Sequence, residues 1–593
     1  MTKAARAWLS AVRLAYHAWP AGALAMPAVS IGQELLGGPV RAFALKQVVD
    51  ELRPAPVAAA VWMVVFVAGV VIGSLLGTLL GTLQDEAMER TRQHVRQVLL
   101  RASLSPPGVD HLENPAFADR VGLVLSRAEV AANVFANGSV LLTMTVTVGF
   151  AVVVLGRVQP LLPVLMLGAV PGAMLRAWAL RRELSMMDRA ASDQRLAGRL
   201  SELLADPAAA KEIRLLGLAD HLLERFRDVT DRAIVGLARA RRAQVGAAAV
   251  GGLLQGLMLA AGVGLLAYLT LTGRASAGDL VMGIALLRGL LDDAVSLVQK
   301  SGRTAEQVFV AERLLSLVDH QSPVRAPVRS SPAPSQLSQG ITFEGVSFRY
   351  RPDGADVLRR VNLHLPAGST VALVGDNGAG KTSLVKLLCR FYDPTEGRIL
   401  IDGVDLRALD PDLWRARLTA VFQDFVRFEF LAGETIGVGD VRHVDDLNEV
   451  TRASLSAGAA PVVEALPRGY ATQLGRQMPE GVELSIGQWQ KVSLARSAMR
   501  MDPLLSILDE PTASLDPRAE HELFERYAAA ATGSARQKSI TLLVSHRFST
   551  VRMADTIAVL QRGELVEIGS HTELMARSGV YARLFSLQAG AYA

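Results

Sequence analysis

Three stretches of this chain, Pro54–Gln84, Val130–Gly156 and Ala243–Gly273, contain no charged residue, and each is longer than the roughly 20 residues a helix needs to cross a bilayer. A backbone inside hydrocarbon must satisfy its own N–H and C=O groups, so runs of this length fold as helices. Composition agrees: 50% of the 593 residues are hydrophobic, 20% are charged, and the mean hydropathy is +0.28. A chain this long and this apolar is expected to hold more than one domain, one of them in a membrane.

Three weaker runs join these. Val158–Leu175 follows Arg157 closely and pairs with the run before it across a very short loop; Tyr16 to about Val40 is interrupted by Glu34, and Ala277 to about Gln299 by Asp279, Arg288, Asp292 and Asp293. Six spans are therefore expected, at about 16–40, 54–84, 130–156, 158–180, 243–273 and 277–299, in an all-α transmembrane domain of residues 1–318. The connection Asp85–Arg127 holds Arg90, Arg92, Arg96, Arg101, Arg120 and Arg127, and Arg181–Arg242 is richer still, whereas the loops near Arg157 and Arg274 carry one arginine each. The positive-inside rule then puts both long connections and both termini in the cytoplasm. Glu86–Leu104 and Met186–Leu204 keep apolar residues at helical spacing, so the spans are expected to continue as cytoplasmic arms. The arms turn around Ser105–Phe117, interrupted by Pro106, Pro107 and Pro115, and around Asp206–Gly217.

Ionisable groups inside a span normally face a protein interior or a wet cavity. Arg288 and Asp292, four apart, are expected to pair on one helix face, while Asp293 is turned about 100° away and lacks that partner. With Glu34 it either fixes packing or gives the cavity an acidic lining that favours cationic cargo.

At the N-terminus, Lys3, Arg6 and Arg13 precede the first acid, Glu34, while Trp8, Leu9, Val12, Tyr16 and Trp19 recur at helical spacing. That suits an amphipathic helix on the membrane surface better than an organellar transit peptide. A cleavable signal is disfavoured, because Arg13, His17 and Pro20 break the run before Ala23-Leu24-Ala25. The formal net charge of +5 gives no reason to expect nucleic acid, and the single cysteine, Cys389, allows no disulfide within the chain and reads as a buried structural thiol.

Residues 319–339 are rich in Pro, Ser and Gln with little apolar periodicity, a linker; from residue 340 short apolar strands alternate with helices to 593, the texture of a soluble α/β domain. Here Gly375, Asp376, Asn377, Gly378, Ala379, Gly380, Lys381 and Thr382 fit G-x-x-x-x-G-K-[ST], between the apolar strand Val371–Val374 and a helix through Leu384–Leu388. This is a phosphate-binding loop: glycines let backbone N–H groups face inward, the helix N-terminus favours an anion, Lys381 reaches the β- and γ-phosphates, and the Thr382 hydroxyl holds Mg²⁺. Ser383 lies beside it. Leu504, Leu505, Ile507 and Leu508 read as a buried strand delivering Asp509 and Glu510 to its exit.

The order of VFQDF with Gln423, LSIGQWQKVSLARS from Leu484, LLSILDEPTASLD to Asp516 and TLLVSHR with His546 resembles the ATP-binding cassette of the ABC transporters, and the six spans with two arms resemble the bacterial exporter type. The resemblance covers essentially the whole chain, and AAAKEIRLLG is similar to the second coupling segment of such exporters. It implies that ATP is bound, that Asp509, through water, and Gln423 join Thr382 around Mg²⁺, that Glu510 is the general base, that His546 senses the γ-phosphate, and that Tyr350 stacks on adenine. It also implies that Ser485, Gly487, Gln488 and the loop around Asp516 close over ATP held by a second chain. One cassette with six spans is then a half-transporter in the cytoplasmic membrane, a homodimer in preference to a heterodimer, although Ile486 stands where the family usually has glycine. The implied activity is ATP hydrolysis driving export by alternating access.

VFQDFVRFEF and LSIGQWQK are similar to exporters of modified peptides, including lanthipeptides; a drug, lipid or siderophore is the alternative cargo. No cysteine protease domain precedes the spans, so a leader peptide is expected to be removed elsewhere. A non-transporting cassette protein is disfavoured by the spans, and a nucleotide-gated regulator by Glu510 and His546.

Overall fold

The structure is a computed structural model and describes residues 9, 12–14, 16–126, 134–165, 168, 170–207, 209–320, 322–325, 327, 331–510, 539–545 and 547–592. The chain divides into two units, Met1–Ala102 with Asp119–Asp319, and Ser103–Ala118 with His320–Ala593.

The first unit is helical among the described residues. Pro20–Gly37 and Pro39–Glu51 are separate helices, because Gly38 leaves helical geometry and Pro39 starts the second, so the run beginning at Tyr16 is divided before Val40. Helices Pro56–Leu104, Val134–Val158, Val170–Ala205, Ala219–Leu271 and Ala277–Val318 follow, with the short helix Ala210–Leu215 between the long pair. Among the described residues three helical stretches are long and apolar enough to cross a membrane, Pro56–Leu104, Leu161–Ala179 and Ala219–Leu271, with Thr143–Val158 a shorter apolar one. Pro56–Leu104 is apolar on the outside over its first half: Val57, Val64 and Leu75 are exposed, while Ala59, Gly69 and Gly73 are buried. That is the pattern of a helix solvated by lipid, whose contacts with other helices run through small residues. Gly172 and Gly251 make another close approach, between two other helices. A Cβ on Gly172 would stand 3.1 Å from the Gly251 Cα, so the Val170–Ala205 and Ala219–Leu271 helices touch backbone to backbone.

The Pro39–Glu51 helix is tied to the start of Ala277–Val318 by polar contacts. Lys46 pairs with Asp279, and Asp50 accepts from the Ser276 hydroxyl and the Gly278 N–H, both at 2.9 Å. Ser276 and Asp279 also form a capping box at that helix start. Below them Leu155, Leu162, Leu266, Leu286, Leu287 and Leu290 form the apolar centre.

The second unit is built on two sheets. Strands β1 (Gly340–Phe348), β2 (Leu358–Pro366), β4 (Glu396–Ile401) and β5 (Val404–Asp405) form an antiparallel sheet in the order β2-β1-β4-β5. Strands β3 (Thr370–Val374), β6 (Leu418–Val421), β7 (Leu505–Asp509), β8 (Ile540–Val544), β9 (Thr556–Gln561) and β10 (Glu564–Gly569) form the other, in the order β10-β9-β3-β8-β7-β6. All its pairs are parallel except β9 with β10, and its inner strands are apolar on both faces, as parallel strands covered on each side must be. One core joins the sheets through Phe343, Val371, Leu384, Leu388 and Trp414; another packs the Ile486–Ser497 helix and its neighbours on Val421, Leu508 and Leu543. The unit is an α/β nucleotide-binding fold following a helical membrane-type region.

Cys389 lies in the first core, 4% exposed, and burial pushes its thiol up to about 12, so it is inert packing. Arg390 beside it is fully buried with φ 50°. Its guanidinium donates to Asp393 and to the carbonyls of Arg325, Arg407 and Leu409, binding the first part of the linker to the turn that follows the antiparallel sheet.

Candidate functional site

The phosphate loop joins β3 to the helix Lys381–Leu388, which Gly380 caps at φ 104°, where a side chain would be strained and would meet Leu358 at 2.7 Å. Asp376, Asn377 and Gly378 are exposed, Ala379 is buried, and Thr382 opens to solvent on the helix's first turn. Lys381 is 8% exposed and donates to the carbonyls of Gly375 at 2.7 Å and Asp376 at 3.0 Å. Burial lowers its pKa, while Glu510, Asp509 and Asp376 act to raise it, so the strand-end carboxylates are within electrostatic reach of the loop.

Asp509 closes β7, and Glu510 follows with φ 48°, its N–H donating to the Val544 carbonyl at 2.9 Å. A non-glycine residue in the left-handed region costs about 1–3 kcal/mol, and here it turns the Glu510 side chain away from the strand direction. Asp509 is 4% exposed; burial first, then Glu510, raise its pKa to about 6 against the opposing charge of Lys381, and Asp424 adds to the rise. A divalent cation relieves this combination of a buried carboxylate and like-charged neighbours, so the donor set fits Mg²⁺. Gln423 lies next to Asp424 in the turn after β6, exposed.

Tyr350, just past β1, is 41% exposed and bonded to Ser383 at 2.9 Å between the two hydroxyls. Its ring meets Phe348 and Tyr392 edge-on, with the Lys386 ammonium 5.2 Å from its centroid. Ser485 and Gln488 form a capping box at the start of Ile486–Ser497, at 2.8 and 3.3 Å, so their side chains serve that helix end; among the described residues they make no hydrogen bond to the phosphate loop. Gly487 is half-buried and Ile486 is 55% exposed. His546 and Asp516 lie outside the described residues.

The sequence reading missed Glu113, which pairs with Lys386 at 2.7 Å and accepts from Tyr392 at 2.6 Å, and Arg415, which donates to the Pro107 carbonyl. They hold residues 105–114 in the cassette unit, and no local pattern marks partners so far apart in the chain.

In the helical unit a cavity of about 450 Å³ is lined by Glu34, Arg41, Thr147, Arg288, Asp292 and Asp293, among others. The expected Arg288–Asp292 pair does not form among the described residues. Asp292 instead accepts from the Gln255 amide at 3.1 Å, a neutral partner from the neighbouring helix that needs no desolvated guanidinium. Asp293 does have a partner, the Thr147 hydroxyl at 3.3 Å.

Residues 358–513 match the family model of the ABC transporter, an ATP-binding domain. The chain is 38% identical over 299 residues to an ATP-dependent lipid A-core flippase of Chromohalobacter salexigens, covering 50% of this chain and 48% of that protein. It is 36% identical over 265 residues to the subtilin transport ATP-binding protein SpaT of Bacillus subtilis, covering 45% and 41%. The chain thus spans about half the length of the curated relatives it matches. A solved bacterial Atm1-family ABC exporter with ATP bound superposes with a TM-score of 0.78 at 25% identity, covering 96% of this chain and 97% of that one. The cassette is thus matched in sequence by the ABC transporter family model, and nearly the whole length is matched in fold by an ABC exporter: the chain carries an ABC transporter domain within an exporter fold.

Proposed function

We propose that the chain is one half of an ATP-driven exporter in the inner membrane, with both termini cytoplasmic. The observation that carries this reading is Lys381 within electrostatic reach of Asp509 and Glu510, in a chain whose other unit puts apolar helices around a charged cavity. Loop N–H groups and Lys381 hold the phosphates, Tyr350 offers its ring to adenine, and Glu510 takes the proton of the attacking water. Thr382, Gln423 and, through water, Asp509 would hold Mg²⁺, which would supply charge neutralisation at the phosphates. His546 contacts the γ-phosphate.

Two features support a two-chain assembly. Among the described residues the Ser485, Gly487 and Gln488 turn makes no hydrogen bond to the phosphate loop of its own chain, which suits closure, with the Asp516 loop, over ATP held by a partner. The helix Ala210–Leu215 has no buried residue, and Leu215 and Leu216 after it are 84% and 63% exposed, an apolar tip that needs a covering surface. We favour a homodimer, since Ser485, Gly487 and Gln488 keep the family pattern around the departure at Ile486. Purified alone, the chain should form an active two-chain assembly; an inactive monomer that gains activity with a second cassette chain would establish a heterodimer.

For cargo, the likeness to SpaT supports a modified peptide, and the flippase likeness supports a lipid as the second reading. The test is the chain reconstituted in inside-out vesicles with ATP and a panel of peptide, lipid and drug compounds. Uptake of a peptide with stimulated hydrolysis is expected. Hydrolysis without uptake of any panel member would favour a nucleotide-gated regulator.

A further inference from the structure

A second constellation lies in the cassette unit, apart from the phosphate loop. Asp110 and His111 sit in the turn after the Pro56–Leu104 helix, and His320 opens the linker; one ligand atom from each lies within 4.8 Å of the others. His111 is 2% exposed, and its Nε2 donates to the Ser103 carbonyl at 2.8 Å. A carbonyl only accepts, so Nε2 carries the proton and Nδ1 of the neutral ring presents its lone pair. That Nδ1 is buried without a hydrogen-bond partner and faces Asp110 Oδ1 at 3.9 Å. His320 Nε2 is likewise buried without a partner and faces Asp110 Oδ2 at 3.8 Å.

Two buried ring nitrogens left without hydrogen bonds beside a carboxylate are costly unless something binds between them. The gaps are too long for hydrogen bonds but close to the edge of a metal tetrahedron, ~3.3 Å for bonds of about 2.0–2.1 Å. His320, whose side chain is 26% exposed, has the freedom to close the remainder, and a water would complete the tetrahedron. The surrounding contacts orient the donors as a metal site requires: the Ser103 carbonyl fixes the His111 tautomer, the Ser322 hydroxyl donates to Asp110 at 3.3 Å, and Phe117 packs on both imidazoles.

We propose that His111 Nδ1, His320 Nε2 and the Asp110 carboxylate bind one zinc-class transition-metal ion per chain, clamping the turn after the first arm to the start of the linker. Two imidazoles and one carboxylate select Zn²⁺ or Co²⁺ over Mg²⁺ and Ca²⁺.

The test uses the full chain, tag-free, in detergent, loaded with Zn²⁺ or Co²⁺ and washed. About one metal per chain is expected, with a Co²⁺ visible absorption band of tetrahedral type that survives an excess of Mg²⁺, and a melting temperature that falls on chelation. His320→Ala should lose the metal and the band and melt where the chelated wild type does. Should that variant fail to insert, Asp110→Asn provides the same comparison. Less than stoichiometric metal, loss of the band to Mg²⁺, or metal retained by both variants would overturn the proposal.

Discussion

The Tyr392 hydroxyl donates to the Glu113 carboxylate at 2.6 Å, joining residues 279 positions apart, while the other Glu113 oxygen takes the Lys386 ammonium at 2.7 Å. Burial, and then the carboxylate that accepts its proton, hold the Tyr392 hydroxyl protonated far above the usual phenol range. Burial works against the charge on Lys386, but the bond to Glu113 outweighs it and the pKa is raised. One acid thus fastens the turn at residues 105–114 to the helix and loop that follow the phosphate loop.

Replacing that acid should loosen the turn before it unfolds anything else. Hydrogen bonds to a charged group contribute about 1.5–3 kcal/mol, so Glu113→Ala should speed amide exchange across residues 109–114 by about 10-fold or more, with little change in global melting. The amides to follow are Val109, bonded to the Phe391 carbonyl, and Leu112 and Glu113, bonded to the Val109 carbonyl. Unchanged exchange in mass spectrometry would show that Arg415 on the Pro107 carbonyl suffices.

Glu510→Gln should leave nucleotide binding close to wild type, because the loop backbone and Lys381 are untouched. Turnover should fall by about 100-fold or more, the usual worth of a positioned general base. A side chain of the same shape keeps the φ 48° turn, so folding is not the confounding variable. Steady-state hydrolysis near wild type in the glutamine variant would remove Glu510 from the reaction.

Asp509 makes a prediction about pH. Its folded carboxyl keeps a proton up to about pH 6, whereas an unfolded aspartate releases it near 3.8, so between those values the folded chain binds the extra proton. Stability without nucleotide therefore falls as pH rises through that window, by about 3 kcal/mol at most. Asp509→Asn should melt higher than wild type at pH 7.5 in chelator, with the gap narrowing at pH 5.5, and should lose the stabilisation that Mg²⁺-ATP gives wild type. Identical melting curves at both pH values would mean that the carboxylate is better solvated than its burial implies.

The parts of this chain legible in its sequence are those encoded locally. Glycine spacing between an apolar run and a helix specifies the phosphate loop, and four apolar residues before Asp509 specify a buried strand. Long-range partners left no such trace. Periodicity placed Arg288 and Asp292 on one helix face, but it carries no information on what stands opposite, and Gln255 took the carboxylate. The resemblance sets Ser485 and Gln488 over ATP held by a second chain, and within this chain the helix end uses both side chains in its own cap. Glu113, Arg390 and His320 are ordinary polar residues until the fold brings distant segments onto them.

The last prediction concerns the cavity in the helical unit. Burying an ionisable group in a span costs roughly 2.5–3.5 kcal/mol on insertion scales, so several around one space imply either mutual compensation or a ligand. Among the lining residues three carboxylates, Glu34, Asp292 and Asp293, stand against two guanidiniums, Arg41 and Arg288, and Lys300 lies near enough to act on Glu34 and Asp293. Glu34 forms no salt bridge among the described residues, and Asp293 is held by the neutral Thr147 hydroxyl. We propose that the carboxylates of this lining favour a cargo that brings a cationic group. Asp293→Asn preserves the shape and the capacity to accept from Thr147 but removes the charge. It should raise about 10-fold the concentration of a cationic peptide needed for half-maximal stimulation of ATP hydrolysis, while a neutral analogue of the same length is unaffected; Glu34→Gln should act in the same direction. If both peptides shift together, or the variant is lost from the membrane, Asp293 serves packing between helices rather than recognition.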